Sequence, residues 1–257
     1  MTILDQILER KRAEVQDLSM RLKNAHPASS KKDFKQALLA SSGPSLIAEI
    51  KRKSPSKGAL WEDLDPVDVA DTYVSHGAAA ISVLTDELFF GGSLSDLQQV
   101  SRESVLPVLR KDFILCEEQI LDARLAGADA VLLMVSVLKN AEKIRAFREY
   151  AAVFNMDCLV EVHDAEELQV ALKSGADIIG VNARKFKDLS VNQDVFQDLL
   201  SQIPEGIVRV AESGFHTRED IVRVQDLADA VLIGTSFMQD EGRNLEAKLH
   251  EFFPDEN

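Results

Sequence analysis

Cysteine is scarce in this chain: Cys116 and Cys158 are the two among 257 residues. A disulfide scaffold is thereby excluded, and two small inert side chains in a reducing cytoplasm fit the pair. Aromatic residues make up 6%, with one tryptophan and two tyrosines. Any slot for a flat ring must therefore be built from a few phenylalanines. No apolar run approaches the roughly 18 residues of a membrane span. The start, Met1-Thr2-Ile3-Leu4-Asp5, leads into charge and not into a secretory apolar core. There is no P-loop and no GxGxxG pattern, so no nucleotide cofactor is expected. No cysteine or second histidine stands at ligand spacing from His163, so no metal is expected either. Positive charge is also in deficit: 29 Lys and Arg against 43 Asp and Glu leave a formal charge of −14. That balance opposes nonspecific binding to nucleic acid or anionic lipid. An anionic small substrate would need a local positive site.

Apolar residues make up 46%, ample for a core, and they are organised. The stretch from Ile3 to Leu22 has helical spacing at Ile3, Leu4, Ile7, Leu8, Val15, Leu18 and Leu22. A polar link at His26-Pro27-Ala28-Ser29-Ser30 and a short helix over about Asp33 to Ala40 follow, then a turn at Ser41-Ser42-Gly43-Pro44. Eight short β-rich runs come next: Leu46–Ile50, Ala79–Leu84, Pro107–Arg110, Ala130–Val135, Cys158–Val162, Ile178–Val181, Val208–Val210 and Ala230–Ile233. Helical segments such as Glu117–Ala126, Ala141–Phe154, Ala165–Ser174 and Arg218–Leu227 lie between them. Continuous apolar strands alternating with amphipathic helices imply a parallel sheet covered on its outside. A small-residue turn recurs before every second strand, at Gly77-Ala78, Gly127-Ala128, Gly175-Ala176 and Ala228-Asp229. Eight units with this repeat predict an α/β fold, a single (β/α)8 TIM barrel domain over 1–257, of which about 1–44 is an N-terminal helical extension.

Active sites of such barrels lie at the C-terminal ends of the strands. The first strand runs into Ala48-Glu49-Ile50-Lys51-Arg52-Lys53-Ser54-Pro55-Ser56, where a carboxylate, three cations and two hydroxyls replace apolar residues. Buried strands do not hold charge without a partner or a purpose. Lys111, Glu161 and His163, Asn182 and Arg184, and Glu212 end later strands. Glu49, Lys51, Lys111, Glu161 and Glu212 would converge on one mouth, where opposed charges suit acid–base work or brace the rim as ion pairs. Alternation turns Arg52 away from that mouth. Ser213-Gly214 and Gly234-Thr235-Ser236 follow strands seven and eight, the common phosphate position in barrels. Phe90 and Phe113 are the better candidates for a ring slot, and packing is the use expected of Trp61.

These motifs resemble the indole-3-glycerol phosphate synthase family of tryptophan biosynthesis over nearly the full length. The resemblance rests on the strand-one motif, Leu84-Thr85-Asp86 with Phe90-Gly91-Gly92-Ser93, and Arg110-Lys111-Asp112-Phe113-Ile114. It continues through Glu161-Val162-His163-Asp164, Asn182-Ala183-Arg184, Ala211-Glu212-Ser213-Gly214 and Leu232-Ile233-Gly234-Thr235-Ser236. It implies a carboxy-lyase that closes the indole ring of 1-(2-carboxyphenylamino)-1-deoxyribulose 5-phosphate, losing water and carbon dioxide, with no cofactor and no metal. Lys111 matches the family acid for ring closure and Glu161 the second acid/base residue. Lys51 matches the cation for the substrate carboxylate. Glu49, Asn182, Glu212 and Ser213 match residues that orient charged groups and hydroxyls. Ser54, Gly214, Gly234 and Thr235 match the phosphate site, and Pro55, Phe90, Phe113 and Leu132 the ring pocket.

The chain departs from the family's commonest pattern with Thr235 for serine and with Phe186 for leucine near the ring pocket. The resemblance also implies that the N-terminal helices lie over the mouth, and that a small phosphorylated molecule is the partner, without nucleic acid, membrane or an obligate protein. Alternatives are another phosphosugar barrel, such as phosphoribosylanthranilate isomerase, or a non-catalytic phosphate-binding barrel. The first would ask for a cysteine and an aspartate at strand ends, where Cys116 and Cys158 do not serve. The second would lack Lys51, Lys111 and Glu161.

Overall fold

The computed structural model describes residues 2–23, 25, 27, 32–185 and 188–254. Eight parallel strands close into a barrel: Ser45–Ile50, Ala80–Leu84, Val108–Lys111, Ala130–Met134, Asp157–Val162, Ile178–Asn182, Val208–Glu212 and Ala230–Ile233. Each pairs with its chain neighbour, and the first pairs with the last through Ser45–Ala230 and Ala48–Ile233. The strands read as unbroken apolar runs because both faces are buried. One set of side chains, including Ile47, Leu109, Leu132, Leu159 and Val210, fills the interior. The alternate set, including Ala48, Val131, Val160 and Ile233, packs under the helices.

The same period of two aims the strand-end residues. Ile47 points inward, so Glu49 and Lys51 do too. Leu109 carries Lys111 and Phe113 inward, Leu159 carries Glu161 and His163, and Ile178 carries Gly180 and Asn182. Val208 and Val210 carry Glu212, and Leu232 carries Gly234.

The stretch expected to be helical over Ile3–Leu22 divides into helices Ile3–Glu14 and Leu18–Leu22. The short helix expected over about Asp33–Ala40 is present as Phe34–Leu38, and the segment's place differs from the one expected. Thr2 and Asp5 cap the first helix reciprocally. Ile7 joins the interior cluster, and Lys11, one turn on, reaches Asp86 and Asp112 at the ends of strands two and three. This helix therefore sits at the mouth. The third helix sits at the opposite end. The Lys32 and Lys35 amides donate to Asp129 and Asp157, which precede or begin strands four and five. Phe34 and Leu38 plug the barrel floor from below, each contributing about 1.5–3 kcal/mol of apolar burial. The extension spans both ends because its apolar residues have two separate openings to cover. The expected link at 26–30 and Phe186 fall largely or wholly outside the described residues.

Elsewhere the expected elements shift by a residue or two. Strand seven runs on to Glu212, and strand four stops at Met134, where Val135–Leu138 turns helical. The segment expected as a helix over Arg218–Leu227 keeps only Arg218–Val222.

Candidate active site

A cleft of about 940 Å³ opens at the C-terminal ends of the strands. Its wall includes Glu49, Lys51, Ser54, Pro55, Phe90, Lys111, Phe113, Leu132, Asn182, Ser213, Gly214, Gly234 and Thr235. These are thirteen of the fifteen residues singled out above. The other two, Glu161 and Glu212, have no exposed surface and lie beneath the wall.

Two ion clusters occupy the floor. Lys51 Nζ is 2.6 Å from Glu49 Oε1. Lys111 Nζ lies 3.5 Å from Glu161 Oε2 and 3.6 Å from Glu212 Oε2. Asn182 donates its amide to Glu161 Oε2 at 3.0 Å. Burial opposes charge on Glu49, but the Lys51 and Lys111 ammoniums outweigh it and lower its pKa. Burial likewise opposes charge on Glu161, and Lys111, His163 and Asn182 reverse the effect. Glu212 goes the other way: burial and the Glu161 charge raise its pKa against the pull of Lys111. Neither Glu212 oxygen accepts a hydrogen bond among the described residues. Two adjacent carboxylates cannot both ionise without mutual cost, and a proton on Glu212 lets it donate to Glu161.

A lysine gives up its proton readily where neighbouring cations and burial lower its pKa, and Lys111 has the burial without the cations. The neighbours are carboxylates instead. Burial pulls its pKa down, but Glu161, Glu212 and Glu49 raise it above the usual lysine range. Lys111 is thus held as an ammonium, which can give its proton only to a strongly basic developing charge.

Phe90 and Phe113, the residues expected to form a ring slot, have centroids 6.2 Å apart, with Leu132 in the same apolar cluster. Aspartates hold the backbone at Phe113 and beside Phe90. Asp86 accepts the Phe89 amide at 2.8 Å and caps the helix Glu87–Phe90, and Asp112 accepts the Phe113 amide at 2.8 Å. Across the mouth, Ser213 and Gly214 both adopt left-handed backbone, at φ 70° and 88°. That is ordinary for glycine and uncommon for serine. Ser54 Oγ accepts the Lys57 amide at 3.2 Å, within a small ribbon made by Lys53–Ser54 and Gly58–Ala59. Arg52 turns away as expected and clamps Asp96 at 2.6 Å and the Gly91 carbonyl at 3.2 Å.

Two features of the site are not marked by residue type alone. Gly180 pairs with Glu161 in the sheet, and a Cβ there would lie 2.0 Å from Glu212 Oε1. A glycine inside the β-rich run Ile178-Ile179-Gly180-Val181 was the available clue. Gly234 does the same for Glu49, whose Oε1 would lie 2.4 Å from a Cβ. Arg184, noted only as a strand-end residue, lines the cleft and donates to Ser56 Oγ at 3.1 Å.

The fold and this floor define a (β/α)8 barrel with a buried lysine–glutamate ion cluster at the mouth of its strands. The sequence profile of indole-3-glycerol phosphate synthase matches residues 4–252. Proteins of that name from Leptospira interrogans, Chlorobium limicola and Listeria monocytogenes are 46%, 45% and 43% identical to this chain. The alignments cover 92%, 97% and 96% of this chain and 92%, 97% and 98% of those proteins. Two solved structures share the fold alone. Thiamine phosphate pyrophosphorylase from Pyrococcus furiosus has TM-score 0.58 at 18% identity, covering 85% of this chain and 95% of that one. 3-Keto-L-gulonate-6-phosphate decarboxylase from Vibrio cholerae has TM-score 0.61 at 15% identity, covering 82% and 98%. The chain belongs to the indole-3-glycerol phosphate synthase family, and its activity is the carboxy-lyase reaction of tryptophan biosynthesis that the resemblance implied. No helix among the described residues is long and apolar enough to cross a membrane.

Proposed function

We propose that Lys111 is the general acid of ring closure and that Glu161 is the second acid–base group of the same cycle. The substrate would lie with its aromatic ring against Phe90, Phe113, Pro55 and Leu132. Its phosphate would lie near Ser54, Gly214, Gly234 and Thr235, and its carboxylate near Lys51. Attack of the ring carbon on the ketone develops an alkoxide, and the Lys111 ammonium delivers its proton there. Carbon dioxide then leaves with the carboxylate's electrons remaining in the ring system. Loss of the new hydroxyl as water needs one proton donated and one removed, which Lys51 and Glu161 would share. A carboxylate is lost as a neutral gas, so each turnover takes up one proton from solvent. Glu49 holds Lys51, Asn182 holds Glu161, and Glu212 holds Lys111. Ser213 would orient a substrate hydroxyl. Holding ring and chain flat against each other accounts for much of the rate.

The observation that carries this reading is the place of Lys111: an ammonium paired to two fully buried carboxylates, on the cleft wall beside Phe113. Lys111→Ala should lower kcat by about 10²–10⁴-fold, the range of a lost general acid, with KM and fold largely kept. Indole fluorescence on mixing with the carboxyphenylamino substrate reads it, without added metal or nucleotide. Full turnover by the variant would overturn the role. The reading also takes the working partner to be this small phosphorylated substrate, with no nucleic acid, and the compartment to be the cytoplasm. The net charge of −14 and the thiols of Cys116 and Cys158, which form no disulfide, support it.

A further inference from the structure

His163 and Glu167 have no role in the mechanism above. They lie behind Glu161, and neither lines the cleft among the described residues. The Glu161 carboxylate has a partner beside each oxygen, a hydrogen bond at one and an ion-pair contact without hydrogen-bond geometry at the other. Asn182 donates to Oε2 at 3.0 Å, and His163 Nε2 stands 3.3 Å from Oε1. The ring is held from its far side. Glu167 Oε2 is 3.0 Å from Nδ1 and also accepts the His163 backbone amide at 2.9 Å. Glu167 is itself fixed in the first turn of the helix Ala165–Lys173, where its amide donates to the Asp164 cap at 2.9 Å. The line Glu167–His163–Glu161 thus runs from a partly exposed carboxylate, 18% accessible, to one with no exposure. Every member lies within seven positions of one strand-to-helix turn.

The partner set is unequal between the two floor carboxylates. Glu161 has an amide, an imidazole and Lys111, whereas Glu212 has Lys111 and Glu161. Whichever of two adjacent carboxylates has the better donors ionises first, and the other keeps the proton. We propose that His163, braced by Glu167, is a positioning residue that fixes the orientation of Glu161 and makes it, and not Glu212, the ionised member of the pair. The inference rests on the acid–base role given to Glu161 above. Around the ring, Glu161, Glu167 and Glu212 face His163. Burial works against its charge, while the Glu167 hydrogen bond and the Glu161 charge raise its pKa. Lys111, Glu212 and Glu49 face Glu161 from other strands. These contacts favour the imidazolium over the neutral ring.

The test is kcat and KM against pH for the full chain carrying His163→Ala or His163→Gln, read by indole fluorescence, with thermal unfolding in parallel. In His163→Ala the acid limb of kcat should move up by about one pH unit, so that kcat on that limb falls about tenfold while KM stays within about twofold. The Gln amide can reach Glu161 without carrying charge. His163→Gln should recover part of the plateau kcat and keep the displaced limb. If His163→Ala is too unstable to purify, His163→Gln carries the test alone. A pH profile that superimposes on the parent's in the variants, whatever their melting temperatures, would overturn the inference. Glu161→Gln separates this from the underlying reading. If that variant stays active, the role of Glu161 fails. If it is inactive while the His163 profiles match the parent, only the inference fails.

Discussion

Removing one buried ammonium should loosen the N-terminal helix from the mouth. Lys11 is 3% exposed, with Nζ 3.0 Å from Asp112 Oδ1, 3.2 Å from Asp86 Oδ2 and 2.7 Å from Glu14 Oε2. Glu14 is a third exposed, so water can replace its partner. Asp112 keeps Arg110 at 3.0 Å, Thr85 at 2.6 Å and the Phe113 amide. Asp86 has no such reserve, because its Oδ2 accepts no hydrogen bond and Lys11 is its ion-pair partner among the described residues. In Lys11→Met the cost is thus dominated by one stranded buried carboxylate. Breaking a buried pair costs about 3–5 kcal/mol, and the surviving partners of Asp112 put this case near the lower end. A chain of this size loses about 2–4 °C per kcal/mol, so the melting temperature should drop by about 6–12 °C.

Calorimetry at pH 7 reads that drop, and Asp86→Asn in the Lys11→Met background should restore much of it. The asparagine side chain keeps an oxygen for the Phe89 amide but carries no charge. The pH dependence has a definite sign. The pKa of Asp112 is lowered to about 2 against burial, by Arg110 and Lys11. Its contribution is therefore present above the unfolded carboxylate value and is lost as pH falls toward 2. Lys11 is raised despite burial, by Asp112, Glu14 and Asp86. Its contribution is present below the unfolded lysine value and is lost only in strong alkali. The gap between parent and variant should hold through neutral pH and close in acid. KM should also rise, since Asp86 and Asp112 hold the backbone beside Phe90 and Phe113. A drop under about 2 °C, or no rescue by Asp86→Asn, would refute the reasoning.

Three further outcomes are expected besides that for Lys111→Ala. Burial and the Glu161 charge push the Glu212 carboxyl up to about 8 in the fold. The folded parent therefore loses stability as pH rises from the unfolded carboxylate value through 8. Glu212→Gln should gain on the parent across that interval and level off above it, as measured by denaturant midpoints. Gly180→Ala should displace Glu212, because the added Cβ meets a buried oxygen at 2.0 Å. A loss of about 1–3 kcal/mol with a lower kcat is expected, and unchanged kinetics would show that the carboxylate has room to move. Ser213→Gly should relieve the left-handed backbone at φ 70° and raise stability by about 1 kcal/mol. If Ser213 orients the substrate, kcat should fall in the same variant; a variant both more stable and fully active would remove it from the site.

Much of the molecule could be read in one dimension because its determinants are local. Eight apolar runs at βα spacing specify a barrel, and charges at their ends specify a mouth. Alternation then says which charges face in, so Lys51 could be separated from Arg52 without coordinates. What the sequence could not rank was partnership. Lys111 carries the same ammonium whatever surrounds it, and only the closed barrel brings Glu161 and Glu212, fifty and about a hundred positions away, within 3.6 Å of it. Those distances hold Lys111 charged and push the two glutamates apart in proton affinity. Gly180 likewise reads as a weak strand residue until Glu212, from the next strand, fills the space of its missing Cβ. The N-terminal segment makes the same point at larger scale. Periodicity identifies its apolar face, but only the assembled barrel has two openings, and it is their separation that divides the helices between mouth and floor. Residue types and facing follow from the chain's own period, whereas charge states and ends follow from what folding brings alongside.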